Sequence, residues 1–241
     1  MLHIDSDKKQ RILDNLATVL KKIKSACEKT NRNPSSVELL AVVKNRMPEE
    51  IRILAQEGNV RLFGESRVRD AAEKWEEPPL AGLRDKIKLH LVGHLQSNKA
   101  KTAARIFDSV DSIDSFKTAV ELDRHAGNAG VKIPILIEIN LSNPETRFGI
   151  DIGDSRDFLS ETGELGNVHP CGYMAMAPMT GNPETLRPTF AAVKKIFDRD
   201  FPEPYGKSGF KNYLSLGMSG DFETAVEEGS NLPRIGSLLF Q

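Results

Sequence analysis

Apolar positions along the chain follow two different periods in alternation. Short runs of mostly apolar residues, typical of buried strands, are separated by segments in which apolar residues recur every three or four positions, as in amphipathic helices. The predicted strands lie around residues 37–43, 60–63, 87–92, 106–110, 133–140, 168–173, 212–214 and 232–235. The predicted helices lie at 8–29, 49–57, 67–75, 115–125, 155–162, 183–201 and 221–227, with a further cationic helix that begins at Lys99 and Lys101.

Eight strands that alternate with helices predict an α/β fold in which a parallel sheet closes into a single (β/α)8 TIM barrel. A chain of 241 residues has the usual length for one such barrel, so we expect one domain over residues 1–241. Only a few residues follow the eighth predicted strand, and no C-terminal helix remains to cover it. We therefore expect the N-terminal helix, predicted at 8–29, to take the empty place in the outer ring.

Composition and charge narrow the class of function. The formal net charge of −1 provides no field for binding nucleic acid or an anionic membrane, so an anionic ligand needs a local site. Two cysteines, Cys27 and Cys171, do not suggest a disulfide framework, no CxxC motif occurs, and we predict no metal site. Neither a membrane-spanning apolar stretch nor a signal-peptide core is present, so we expect a cytoplasmic protein.

The first candidate for chemistry is Lys44, which directly follows the apolar run 37–43 and precedes a helix that opens with Pro48. A lysine that a buried strand carries to the start of a loop would be partly desolvated, which lowers its pKa and makes the neutral amine available. Such an amine forms a Schiff base with a carbonyl compound. The alternative is a lysine at a strand end that only reaches into solvent.

An anion site is predicted in the loops after the seventh and eighth strands, where barrels of this class often bind phosphate. Ser219 in the first loop is a predicted helix N-cap, and the amides of the turn that follows favour an anion. In the second loop Gly236 permits close approach of the backbone, and Arg234 brings a fixed positive charge. Alternatively, Ser219 only caps its helix and Arg234 pairs with a structural carboxylate.

A Schiff-base lysine, a phosphate site and an arginine between them match the parts of one cofactor. Pyridoxal 5′-phosphate (PLP), a form of vitamin B6, carries an aldehyde, a phosphate and a ring nitrogen. The combination of Lys44 with the two late loops therefore predicts a PLP-binding protein.

Several motifs of the chain resemble those of a known family over nearly the whole length. They lie at 40–44, 63–68, 90–99, 172–176, 214–219 with Asp221, and 229–230 with 234–236. The run Gly-His-Leu-Gln-Ser-Asn-Lys and the spacing from Gly-Met-Ser to Arg-Ile-Gly are the specific ones. In these motifs the chain is similar to the YggS/PROSC family of pyridoxal-phosphate homeostasis proteins.

The resemblance implies a barrel like the N-terminal domain of alanine racemase, of the fold-type III class of PLP proteins, with the cofactor held as a Schiff base on Lys44. It also implies that Ser219 and the backbone amides of Gly236 and Ser237 hold the phosphate. Arg234 would face the pyridine nitrogen.

Met174 and Ser66 would line the cofactor ring on the same basis. The family usually has asparagine at position 66, so the shorter serine hydroxyl weakens or replaces one contact near the cofactor. Four further departures replace the family's serine, threonine, valine and glycine by Val43, Asn231, Pro233 and Gln241. None of them removes the lysine, the serine or the arginine of the predicted site.

An arginine beside the pyridine nitrogen favours binding over catalysis. A guanidinium does not readily give up a proton, so the ring nitrogen stays unprotonated and the ring is a poor electron sink. The resemblance to alanine racemase implies a second base, a tyrosine, from another domain and a partner subunit, for which this chain has no room. Its three tyrosines, Tyr173, Tyr205 and Tyr213, give no clear substitute.

We therefore expect a monomeric PLP carrier that delivers the cofactor to PLP-dependent apoenzymes, with no nucleic-acid or membrane partner and no assigned catalytic residue. The first alternative is a PLP-dependent racemase of small amino acids, for which His90 and His94 are the remaining proton-transfer candidates, although a histidine at the end of a strand is more often a hydrogen-bonded structural residue. The second is a sugar-phosphate aldolase that needs no cofactor and uses Lys44 with Glu138 as the acid or base. Trp75 is expected in the core.

Overall fold

The computed structural model describes residues 5–76, 80–141, 148–178, 182–206 and 208–241. Within these residues, eight parallel strands form one sheet in the order β7-β6-β5-β4-β3-β2-β1-β8, which curls into a nearly closed TIM barrel. The strands are β1 (Leu40–Val42), β2 (Leu62–Glu65), β3 (Lys88–Leu91), β4 (Ser109–Ile113), β5 (Ile133–Ile139), β6 (Val168–Ala175), β7 (Tyr213–Ser215) and β8 (Arg234–Ile235). The predicted α/β barrel is confirmed.

Helices surround the sheet and occupy nearly the predicted positions. They are α1 (Ser6–Lys29), α2 (Pro48–Gln56), α3 (Val68–Glu76), α4 (Ala100–Ile106), α5 (Phe116–Ala129), α6 (Ser155–Gly163), α7 (Arg187–Asp200) and α8 (Phe222–Glu227). The helix predicted at 183–201 is divided, because a 3-10 turn at Pro183–Leu186 precedes α7. No described helix is both long and apolar enough to cross a membrane.

Helix α1 lies in the outer ring of helices, as predicted. It packs between α2 and α8 and also contacts the 3-10 turn Ser237–Leu239. Its buried face consists of Ile12, Leu16, Val19, Ile23, Ala26 and Cys27. On the exposed side, Lys22 pairs with Glu223 of α8 at 2.8 Å. The two ends of the sequence therefore meet on one side of the barrel.

The position of β4 differs from the prediction of 106–110. Ile106 ends α4, and the strand runs from Ser109 to Ile113. Its central Asp111 is fully buried, where it accepts a hydrogen bond from the Ser109 hydroxyl at 2.6 Å and contacts His90 Nδ1 at 2.8 Å. Polar groups are stable inside the barrel when they are bonded to one another, so this strand lacks the apolar pattern that would identify it.

Alternate residues of the strands face the helices and the barrel interior. In β5, Ile135 and Ile137 lie in the apolar layer between sheet and helices, whereas Leu136 belongs to the cluster inside the barrel. That interior cluster consists of Leu40, Leu62, Leu136, Cys171, Met174 and Leu232. Trp75 is 1% exposed and packs in the outer layer, which confirms its predicted place in the core.

Strands β7 and β8 lie at the two ends of the strand order, and the regular hydrogen bonds that pair the other adjacent strands do not join them. Irregular bonds join the two elements there: Arg234 N donates to Gly217 O at 3.0 Å, and the Ser215 hydroxyl donates to Leu232 O at 2.9 Å. The Arg234 guanidinium also donates to Ser215 O at 2.6 Å. We refer to this junction between β7 and β8 as the seam.

Candidate functional site

A cavity of about 500 Å³ opens at the C-terminal ends of the strands, on the side where barrel enzymes place their chemistry. Its volume is within the usual range for small-molecule sites. Six of the seven predicted cofactor residues line it together, namely Lys44, Ser66, Ser219, Arg234, Gly236 and Ser237. They come from the ends of β1, β2, β7 and β8, so the fold gathers residues that are far apart in sequence.

Lys44 lies two residues beyond the end of β1. Asn45 adopts a left-handed conformation with a φ of 60°, which asparagine tolerates, and Arg46 N donates to Val43 O at 3.1 Å to close the turn. Lys44 itself is exposed at the rim of the cavity. The prediction that the buried strand leaves the lysine partly desolvated is therefore wrong, because the Lys44 side chain is exposed.

A buried ion pair that the sequence did not suggest lies directly behind Lys44. Lys74 of α3 donates to Val43 O at 2.9 Å and to Glu65 Oε1 at 2.8 Å. The indole of Trp75 donates to the same Glu65 oxygen at 3.1 Å. Lys74 thus connects α3 with Val43, which precedes Lys44, and with Glu65, which precedes Ser66.

The loop after β7 turns sharply at Gly217. Its φ of 88° is a conformation that favours glycine, and a Cβ atom there would approach Ala225 Cβ to 2.6 Å. The loop then places Asp221 at the N-cap of α8, and the Asp221 carboxylate accepts from Met218 N at 2.6 Å. The prediction that Ser219 caps the helix is wrong, because Asp221 holds that position and Ser219 lines the cavity instead.

The loop after β8 brings backbone amides to the cavity from the other side of the seam. Gly236 precedes the 3-10 turn Ser237–Leu239, and Leu239 N donates to Gly236 O at 3.0 Å. A Cβ at Gly236 would lie 3.2 Å from Val42 O, so the loop packs closely against β1. The first amides of a helical turn have no partner within that turn and attract anions.

Arg234 forms the floor of the cavity between these two loops and is 4% exposed. Its guanidinium donates to Ser215 O at 2.6 Å, to Ser215 Oγ at 2.8 Å and to Ala175 O at 2.9 Å. Burial lowers the pKa of Arg234, while the negative charges of Asp111, Glu138 and Asp221 oppose that shift. A guanidinium has five N–H donors, so donors remain beyond these three bonds.

Glu138 lies on β5 and is 3% exposed, but it is not among the residues that line the cavity. Burial and the negative charge of Asp114 together raise the pKa of Glu138 to about 7, while the charge of Arg234 opposes the shift. Near neutral pH this carboxyl therefore exists in both protonation states. Its position away from Lys44 and the cavity does not support its predicted role as the acid or base of an aldolase.

Met174 is the predicted site residue that the structure places elsewhere. It is fully buried in the interior cluster of the barrel and does not line the cavity. Strand β6 continues to Ala175, so Met174 is still within the sheet, and Met176 reaches the mouth. Met176 is 38% exposed and lines the cavity in its place. Met174 and Met176 are two residues apart, and the sequence alone does not show which of them lines the cavity. The end of β6 at Ala175 leaves Met174 within the sheet and Met176 beyond it.

Both histidines considered for proton transfer have structural partners. Burial disfavours the charged form of His90, but Asp111 raises its pKa above the usual value through its charge and its hydrogen bond. His94 Nδ1 lies 3.2 Å from Asp114 Oδ2, and the imidazole stacks on the Phe148 ring with the centroids 3.8 Å apart. Neither histidine lines the cavity.

No tyrosine lines the cavity either, and the structure describes all three. Tyr173 donates to Asp200 at 2.7 Å, outside the sheet, and Tyr213 donates to Glu38 at 2.6 Å, near the N-terminal end of the barrel. Tyr205 is 60% exposed. The described residues thus provide no tyrosine base for the site.

The family model that this barrel matches is that of a known domain. The family described as alanine racemase, N-terminal domain, matches residues 13–241. Alanine racemase from Clostridium difficile superposes with a TM-score of 0.66 over 94% of this chain and 56% of the racemase, at 15% identity. At that identity the likeness shows the fold alone.

Closer relatives define the family more narrowly. The chain is 34% identical over 228 residues to the pyridoxal phosphate homeostasis protein of Aquifex aeolicus, covering 94% of this chain and 96% of the relative. It is 31% identical to the protein of the same name from Escherichia coli K12, covering 95% of each. The chain therefore belongs to the pyridoxal phosphate homeostasis protein family within the alanine racemase N-terminal domain fold.

Two solved structures resemble the whole chain. PipY from Synechococcus elongatus PCC7942, solved with PLP bound, superposes with a TM-score of 0.76 at 33% identity, covering 95% of this chain and 100% of PipY. A protein of unknown function from Bifidobacterium adolescentis superposes with a TM-score of 0.90 at 30% identity, covering 100% and 98%.

Proposed function

We propose that this protein binds PLP as a Schiff base on Lys44 and acts in the intracellular homeostasis of vitamin B6. The observation that carries the proposal is the single cavity where the amine of Lys44, the buried guanidinium of Arg234 and two anion-binding loops meet. The homeostasis proteins of this family and PipY with its bound PLP support the choice of cofactor.

The residues of the cavity suit the parts of PLP. Lys44 supplies the amine for the aldehyde, and Ser219 with the amides of Gly236 and Ser237 would hold the phosphate. Arg234 would donate to the pyridine nitrogen, and its existing bonds to Ser215 and Ala175 fix its orientation. When bound, PLP supplies an electrophilic aldehyde and an electron-accepting ring.

A carrier role fits the site better than racemase or aldolase activity. Arg234 keeps its proton and leaves a ring nitrogen unprotonated, which makes the ring a poor electron sink. No described tyrosine or histidine lines the cavity, so the racemase lacks its second proton-transfer group. The acid or base predicted for the aldolase, Glu138, lies outside the cavity.

The cellular setting of the carrier is part of the proposal. The proposed carrier acts as a monomer. PLP-dependent apoenzymes are the proposed recipients of the cofactor, and the two buried free cysteines suit a reducing cytoplasm.

The purified protein, incubated with PLP and freed of unbound ligand, should be yellow with one pyridoxyl group per chain. Borohydride reduction should bleach the colour and fix the group, and peptide mass analysis should locate it on Lys44, because that amine lines the cavity. A protein that stays colourless with PLP, or attachment at another lysine, would overturn the proposal.

The carrier and racemase functions differ in proton exchange. If the protein is a carrier, alanine or serine incubated in deuterated buffer with the PLP-loaded protein should show no more α-proton exchange than with free PLP. This expectation follows because neither a tyrosine nor a histidine of the described residues lines the cavity. Exchange at a catalytic rate, measured by proton NMR, would replace the carrier by a racemase.

A further inference from the structure

Behind the cavity, Lys74 makes a contact with the backbone that carries Lys44. The Val43 carbonyl, which belongs to the peptide bond leading into Lys44, accepts a hydrogen bond from Lys74 Nζ at 2.9 Å. The amide of Val43 donates to Gly64 O at 2.9 Å. Val43 is therefore bonded on one side to the neighbouring strand and on the other to a side chain of α3. Together these bonds fix the direction in which the Lys44 side chain leaves the barrel.

The Lys74 ammonium is itself held in place by Glu65. The two side chains are 2.8 Å apart, with 14% of the Lys74 side chain and 1% of the Glu65 side chain exposed. Trp75 donates to the same carboxylate at 3.1 Å, so Glu65 has little freedom to move. An ion pair with this degree of burial is expensive to desolvate, and replacing it by apolar residues is often neutral or stabilising. The pair is therefore weak evidence of stabilisation, whereas its bond to Val43 O links it to the backbone that carries Lys44.

The same pair also reaches the second strand of the site. Glu65 is the last residue of β2 and is followed by Ser66, which lines the cavity. The Ser66 carbonyl lies so close to Gly93 that a Cβ atom there would overlap it. The Ser112 hydroxyl in turn donates to Gly93 O at 2.7 Å. These bonds and the close backbone contact hold the loops after β1, β2 and β3 relative to one another. Lys74 is the side chain that bonds the loop of Lys44, in addition to the turn bond from Arg46 N to Val43 O.

We propose that Lys74 is a positioning residue for Lys44: through Val43 and Glu65 it holds the start of the lysine side chain at the orientation that reaches the PLP aldehyde. The inference rests on the proposed function of Lys44. Lys74 does not line the cavity, and its amine is occupied by two hydrogen bonds, so it acts without touching the cofactor. The Lys44 side chain is exposed and long and can adopt many rotamers. A fixed backbone therefore limits the positions that its amine can reach.

The test compares two ligands on four variants. PLP reports on the Schiff base, and pyridoxine 5′-phosphate, which has the ring and phosphate but no aldehyde, reports on the rest of the cavity. Lys74→Met should slow Schiff-base formation at saturating PLP by roughly tenfold, as expected for a misplaced reactive group, and leave pyridoxine 5′-phosphate affinity within about twofold. Lys74→Arg keeps a cation that can bond both oxygens and should restore part of the rate.

Lys74→Met alone leaves the Glu65 charge buried and unpaired, which endangers folding. The double variant Glu65→Gln/Lys74→Met removes both charges and keeps an acceptor for the Trp75 indole, so it should fold and still form the Schiff base slowly. Arg69→Met is the matched control, because it removes an exposed cation paired with Glu73 on the same helix and should react as the wild type does.

The outcomes separate this inference from the proposed function. Wild-type reaction rates in both the single and the double variant would overturn the positioning role and leave the function of Lys44 intact. Equal losses for both ligands would also overturn it, because they would show a general effect on the barrel. If the wild type attaches PLP at no site or at a lysine other than Lys44, the proposed function fails and this inference fails with it.

Discussion

Lys44→Ala should abolish covalent attachment of PLP and leave the fold unchanged. Without the amine no Schiff base forms, so the yellow colour and the borohydride-fixed pyridoxyl mass should both disappear. PLP should still bind non-covalently through Ser219, Arg234 and Gly236, but with at least a tenfold lower affinity, which corresponds to about 1.4 kcal/mol. Lys44 is exposed, so the free energy of unfolding should change by no more than about 0.5 kcal/mol.

Lys99→Ala is the matched control for this experiment. Lys99 is also an exposed lysine beyond the end of a strand, in the 3-10 turn Ser97–Lys99 between β3 and α4, but it does not line the cavity. This variant should retain the colour and the labelled peptide of the wild type. A Lys44→Ala protein that remains yellow and is labelled elsewhere would show that another lysine serves as the attachment point.

Arg234→Met should cost the protein much of its stability, about 3–5 kcal/mol in the free energy of unfolding measured with urea. The guanidinium is 4% exposed and donates to Ser215 O, Ser215 Oγ and Ala175 O across the seam. Methionine fills a similar space but satisfies none of these acceptors, and each buried carbonyl left without a donor costs about 1–3 kcal/mol. Asp111 and Glu138 also lose the opposing charge of the guanidinium.

Two further variants test the origin of that loss. Arg234→Lys keeps the charge without the planar fork, so its stability should lie between those of the wild type and Arg234→Met. Arg105→Met removes an arginine whose ion pair with Glu76 is exposed, and it should change the stability by less than about 0.5 kcal/mol. A small effect of Arg234→Met would mean that other bonds hold the seam closed.

The barrel was predictable because most strands are short apolar runs separated by helices with a clear apolar face. The predicted position of β4 is wrong because the apolar pair Ile106 and Phe107 resembles the start of a buried strand. The strand itself begins at Ser109 and contains the charged Asp111. The burial of Asp111 is explained by its two hydrogen-bond partners. His90 lies on the neighbouring strand β3, and Ser109 lies two residues earlier on β4 itself. Hydrogen bonds between distant residues cannot be read from local periodicity.

The candidate site was predictable where chemistry and position in the fold agree. Lys44 and Arg234 follow from their strands and from the loops that barrels use for phosphate. The N-cap role predicted for Ser219 is wrong because serine and aspartate are equally good caps, and α8 begins after Asp221, two residues further along the loop.

The ion pair behind the site was missed, although a signal exists. Glu65 is an acidic residue at the end of an apolar strand, and a buried carboxylate needs a partner. Lys74 stands beside Trp75 near the end of the next helix, one turn after the buried Ala71, where its amine can reach back to the sheet. A charged residue within an apolar run can therefore be used to search the neighbouring helix for its counterion.

The place of α1 in the ring has a consequence for how the protein is made. The apolar side of α1 leaves the ribosome early, but its neighbour α8 follows only after the whole stretch from Lys29 to Phe222 has been translated. At about 5–20 residues per second this takes roughly 10–40 s. During that interval the apolar face of α1 lacks part of the surface on which it packs in the folded barrel. The nascent chain should therefore be a substrate for chaperones that bind beside the exit tunnel.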